Sequence, residues 1–191
     1  MIIGDRSIFA IESVITRAFE RQSLRALGYF VIYIGGQCYG RREPDSTMLA
    51  CSFDEVGDRI AHRGRHTASF SAEPDAGAIA DAVRLAVYAP EQQNSLYFGM
   101  SEADFADVVH SKHLLWAPDG DQAFDDHSYI LQFDVEDQVR LVAFKSDEEY
   151  RHNSSTLNDV WLPADKFYPT LQRWHDDFEN EWAMAPKEPL P

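Results

Sequence analysis

The segment Gly28-Tyr29-Phe30-Val31-Ile32-Tyr33-Ile34-Gly35-Gly36-Gln37-Cys38-Tyr39-Gly40-Arg41 constrains the fold more than any other part of the chain. Its first seven residues are rich in β-branched and aromatic side chains, which suit a pleated strand, and the two glycines supply the positive φ angles of a tight reversal. The chain therefore turns back on itself here as a hairpin, which commits it to antiparallel pairing. A second hairpin is predicted from Ser128–Val135 to Val139–Lys145, reversing at Glu136-Asp137. Two hairpins with helices between and after them indicate an α+β fold with a mainly antiparallel sheet, flanking helices and a C-terminal amphipathic helix. With 191 residues, 45% of them apolar, and no internal repeat or linker, one domain over residues 1–191 is expected.

The remaining elements follow from local pattern. Ile8–Ile15 reads as a first strand and the polar stretch Thr16–Leu27 as a short helix. Thr47–Ser52 reads as a strand leading into a helix that starts at Ser52-Phe53-Asp54-Glu55, where hydroxyl and carboxylate can each cap a free N–H, and that stops at Gly64. After a loop from Arg65 to Gly77, Ala78–Val87 has the spacing of a packed helix ended near Pro90. Ser101–His110 is a further helix with Glu102 and Asp104 in its first turn, where carboxylates suit the positive end of the dipole. Trp116–His127 is an acidic, turn-rich loop. In the tail, Pro163 suits a first helical turn, and Pro169 is expected to open a separate helix because an interior proline loses a hydrogen bond. From there Leu171, Trp174, Phe178 and Trp182 build an apolar stripe, read as core packing.

No apolar run reaches the roughly 18 residues of a membrane span, and the first residues do not resemble a secretion signal. The two cysteines, Cys38 and Cys51, lie in strand-like surroundings and are too few for a disulfide framework. A soluble protein of the reducing cytoplasm is expected.

The carboxylates are unevenly spread: residues 1–95 hold 12 Asp and Glu against 10 Lys and Arg, whereas residues 96–191 hold 20 against 7. A field of that size adds nothing to stability, since like charges repel, but it selects partners. Nucleic acid and anionic membrane are disfavoured, and a basic protein is favoured. Two places concentrate the excess: the loop with Asp119, Asp121, Asp125 and Asp126, and the hairpin tip with Asp134, Glu136 and Asp137. These seven are the candidate partner-binding residues, and if loop and tip lie together they form one field.

Catalytic readings find little support. His62/His66 and His110/His113 have helix-face spacing, but Gly64 interrupts the first pair, Lys112 separates the second, and no further ligand stands at a partner spacing. The Asp119–Asp126 run lacks the alternating oxygens and closing Glu of a calcium loop. There is no Gly-x-Ser-x-Gly elbow and no phosphate-binding glycine loop, since Gly35-Gly36 has no helix after it. No catalytic residue, metal or cofactor is assigned. A small metal-dependent hydrolase using the His and Asp residues of 110–127 and a general acidic adaptor stay open as alternatives.

Three stretches carry a family resemblance: Met1-Ile2-Ile3-Gly4-Asp5 with Phe9-Ala10-Ile11-Glu12, the Tyr29–Gly40 hairpin, and Trp161-Leu162-Pro163-Ala164-Asp165-Lys166-Phe167-Tyr168 with the tail helix. Together they resemble the Imm42 group of immunity proteins from bacterial polymorphic toxin systems. The resemblance implies a small cytoplasmic α+β protein encoded beside a secreted toxin, as in contact-dependent growth inhibition, that binds the toxin's C-terminal domain and blocks it. The matching residues are structural, so the resemblance transfers no active site. With the charge reading, it implies non-catalytic, stoichiometric binding of a basic, nucleic-acid-targeting toxin, steered by the acidic residues and anchored by aromatic ones.

Overall fold

In the computed structural model, which describes residues 1–89, 95–146 and 151–189, the chain opens with two antiparallel strands, Ile2–Asp5 (β1) and Phe9–Phe19 (β2). The predicted hairpin follows as Ala26–Ile34 (β3) and Gln37–Tyr39 (β4), with Gly35 and Gly36 at φ 60° and 87°. Thr16–Leu27 is not helical. It is the end of β2, a turn and the start of β3, and the two strands pair from Phe9–Ile34 to Ala18–Ala26 with a bulge between Ile15 and Arg17. A short helix with no apolar stripe is marginal, whereas continuing the ladder satisfies the same backbone groups and buries Ala18 and Phe19.

Thr47–Met48 (β5) also pairs with β3, and the helix Leu49–Ala61 (α1) begins directly after it. The expected strand to Ser52 and its capping box are therefore replaced by an earlier helix start. Ser52 lies on the buried side of α1 and Cys51 is exposed on it, because Leu49, Phe53 and Val56 at spacings of four and three form the inward stripe. Ala76–Tyr88 (α2) is capped by Asp75, whose carboxylate accepts from the Ala78 N–H at 3.0 Å. Pro90, the expected terminator, lies outside the described residues. A small hairpin, Leu96–Tyr97 (β6) with Met100–Ser101 (β7), precedes Glu102–Ser111 (α3), which Ser101 caps.

The second sheet is built from Leu115–Ala117 (β8), Ser128–Val135 (β9), Gln138–Lys145 (β10) and Asn158–Pro163 (β11), all antiparallel, in the order β11-β10-β9-β8. It is the middle layer. Ile130, Val139, Leu141 and Ala143 face the first sheet, α1 and the last helix, while Leu131, Phe133, Val142 and Phe144 face α2 and α3. The Tyr39 hydroxyl joins the two sheets, donating to the Thr156 carbonyl at 2.6 Å and accepting from Asn158 Nδ2 at 2.7 Å.

The tail is one helix, Ala164–Met184 (α4), with Pro169 inside it rather than two helices. Proline there costs about 3 kcal/mol, but Phe167, Tyr168, Leu171, Trp174, Phe178 and Trp182 on both sides of it share one buried stripe, and their burial outweighs that cost. Lys187–Glu188 (β12) then lies parallel to the end of β2. No helix among the described residues is long and apolar enough to cross a membrane.

On the face of the first sheet turned away from α1 and α4, a single carboxylate gathers the polar groups. Glu12, 5% exposed, accepts from Tyr29 Oη at 2.8 Å, Tyr33 Oη at 3.0 Å, Arg6 Nη2 at 2.6 Å and Arg42 Nη2 at 2.9 Å. Burial alone would raise its pKa, but the bonds from Arg42, Tyr29, Arg6 and Tyr33 prevail and hold it at about 2. Since the folded value lies below the ordinary one, the stabilisation is present above pH 4.5 and is lost as pH falls through about 2. Discounted for screening of the half-exposed guanidiniums, it amounts to about 2 kcal/mol. Glu12→Gln should lower unfolding free energy at neutral pH and flatten its fall between pH 5 and 2. Parallel profiles for the two proteins would refute this role for Glu12.

Candidate functional site

The helical period that buries Leu49, Phe53 and Val56 turns Cys51, Asp54 and Asp58 outward and leaves Glu55 at the edge. Opposite them the chain leaves β8 through Pro118-Asp119-Gly120-Asp121, with Asp119 and Gly120 at φ 27° and 80° and the Asp121 N–H donating to the Pro118 carbonyl at 2.7 Å. Asp121 fastens this turn to α1. Its carboxylate accepts from the hydroxyls of Ser52 and Thr47 and from the Ala123 N–H at 2.9 Å. Its burial pushes its pKa up, against the hydrogen bonds from Ser52, Ala123 and Thr47. The result is a cleft of ≈ 270 Å³ lined by Asp54, Glu55, Asp58, Asp119 and Asp121, with no Lys or Arg among its described lining residues.

The seven acidic residues picked out from the sequence divide into two sets. Asp119, Asp125, Glu136 and Asp137 are exposed. The other three serve the fold. Besides Asp121, Asp126 takes Lys145 Nζ at 2.6 Å and the N–H groups of Gly40 and Ser128, tying β4 to the second hairpin. Asp134 is 8% exposed and accepts from Tyr168 Oη at 2.6 Å and the His66 N–H at 3.2 Å. The loop and the hairpin tip do not line one cleft. Asp134, Glu136 and Asp137 border a second one, of ≈ 290 Å³, with Arg63, Asp165 and Tyr168.

A buried polar chain runs between the two clefts. Arg59, 1% exposed, has Nε 2.7 Å from Oε1 of Glu55 and donates from Nη1 to Gln132 Oε1 at 3.1 Å and from Nη2 to the Leu115 carbonyl at 2.7 Å. Gln132 Nε2 donates to Tyr168 Oη at 3.0 Å, and Tyr168 to Asp134. Burial raises the Glu55 pKa, and the charge of Arg59 opposes that rise. Burial also lowers that of His66, with help from Arg59.

Asp54, Glu55 and Asp58 were invisible to a count that found the first half nearly neutral. Their signal was the four-residue spacing of Asp54 and Asp58, which shares a helix face. The histidines pair differently from their sequence spacing: His62 stacks on His113 at 5.0 Å, His66 is buried, and His110 is exposed on α3. Among the described residues no group of three or more His, Cys, Asp or Glu is placed to hold a metal ion.

A family model described as Imm42, immunity protein 42, matches residues 1–177. Among solved structures the chain is similar to CdiI from Burkholderia dolosa AUO158, at 15% identity and a TM-score of 0.56, over 93% of this chain and 99% of that one. At that identity the likeness is one of fold. No curated protein sequence matches the chain.

Proposed function

This chain belongs to the Imm42 family of immunity proteins, and from that premise we propose that it neutralises the toxin domain encoded beside it, in the manner of contact-dependent growth inhibition, by stoichiometric binding without catalysis. The observation that supports a surface for this is the carboxylate cleft between α1 and the 118–121 turn, where Asp54, Asp58 and Asp119 stand at the rim with no Lys or Arg among the described lining residues, while Glu55 is paired with Arg59 behind it and Asp121 is held by the fold. Toxins that act on nucleic acid carry cationic surfaces to hold phosphates, and clustered carboxylates compete for the same ground. Asp54, Asp58 and Asp119 are exposed at the rim and, with Asp125, Glu136 and Asp137, are the residues free to meet such a partner. Long-range attraction of this kind acts on the rate of encounter more than on the lifetime of the complex.

Reversal of Asp54, Asp58 and Asp119 to lysine should lower the association rate with the purified toxin domain about 10- to 100-fold at low salt and flatten its salt dependence, as read by stopped-flow fluorescence. Asp121 and Asp126 are left intact because their reversal would break the fold and not only the surface. An unchanged rate and salt slope would remove the cleft from the interface.

A further inference from the structure

The far end of α1 has the opposite character. Where α1 and α3 finish, a cavity of ≈ 420 Å³ opens between them, lined by His62, Arg65, Thr67, Lys112 and His113, with no Asp or Glu among its described lining residues. In a chain with 32 acids for 17 Lys and Arg, cations are the scarce species and carboxylate partners abound. Arg6, Arg42, Arg59, Arg140 and Lys145 each have one within 2.9 Å. Arg65 and Lys112 have neither an ion pair nor a side-chain hydrogen bond among the described residues.

Helix ends draw cations through their dipoles, yet here several of the terminal carbonyls already have backbone donors. Backbone N–H groups of His62 and Lys112 donate to the carbonyls of Asp58 and Val108, the Leu114 N–H donates to Val109, and the buried His66 Nδ1–H donates to the His113 carbonyl. Arg65 and Lys112 both line the cavity, and both are exposed.

We propose that this cavity receives a carboxylate side chain of the same toxin domain, so that α1 reads its partner at two points of opposite sign. This rests on the toxin-binding reading above. The two points lie about 12 Å apart along the helix axis, taking eight residues from Asp54 to His62. A uniformly acidic surface would attract any basic protein, whereas a cation cluster beside it repels partners that lack an acid in register and so adds discrimination.

Calorimetric titration of the purified toxin domain into the full chain and its variants tests this. Arg65→Glu with Lys112→Glu should weaken binding roughly 10-fold or more with a small drop in melting temperature, because Lys112 caps the end of α3 where the dipole disfavours a carboxylate. Arg65→Gln with Lys112→Gln should weaken it less with an unchanged melting temperature, because the two side chains are exposed. Wild-type binding that is matched within twofold by both variants would overturn the proposal while leaving the toxin-binding reading intact. Failure of the wild-type chain to bind would overturn both.

Discussion

Replacing Arg59 with methionine should lower the free energy of unfolding by about 4 kcal/mol, measured by urea denaturation at neutral pH. Methionine fills a similar volume but cannot donate, so it leaves the Glu55 carboxylate, the Gln132 amide oxygen and the Leu115 carbonyl without their partner. The guanidinium also lies over the Trp116 ring, 4.9 Å from its centroid, and that contact is lost with the charge. Adding Glu55→Gln should recover part of the loss, since the uncompensated charge is then gone. A single-variant loss under about 1 kcal/mol would show that water or a neighbouring side chain replaces Arg59, and the polar chain between the clefts would lose its central member.

Trp174→Ala should cost a comparable amount, about 4 kcal/mol, by opening a cavity where three elements meet. The indole is fully buried on α4, lies 5.0 Å from Phe30 of β3 and 5.2 Å from Phe178, and packs on Phe53 of α1. Its Nε1–H donates to Ser13 Oγ at 3.0 Å, so truncation also strips a buried hydroxyl of its donor. Trp161, 41% exposed on β11 with the Arg140 guanidinium 5.2 Å from its ring centroid, is the comparison, and its replacement by alanine should cost about half as much, about 2 kcal/mol. Similar losses at the two tryptophans in the same denaturation experiment would contradict the assignment of the α4 stripe to the core.

Both hairpins were legible because their turns and alternation are local, and α3 because its cap and first-turn acids are. What escaped was decided at a distance. Thr16–Leu27 reads as polar until β3 is available to pair with it, and Pro169 reads as a stop until the buried stripe on either side is known. Ser52 looked like a cap because its true partner, Asp121, is 69 residues away. The site shows the same division. Acidic residues 119–137 were visible as a composition, but which of them are spent on the fold depends on Ser52, Lys145 and Tyr168, none adjacent in sequence. The carboxylates of α1 were hidden because the arginines that balance them in the first half lie elsewhere in the chain, and Arg59, which stands on α1 with them, is buried.

That division has a meaning for how such a protein changes over generations. Asp121, Asp126 and Asp134 are held by the chain's own donors, so substitution there is paid for in folding. Asp54, Asp58, Asp125 and Asp137 stand exposed with ordinary backbone angles, so drift at these positions is nearly neutral for the scaffold. A lineage facing an altered toxin can therefore repaint its rim one residue at a time while the carboxylates beneath stay fixed.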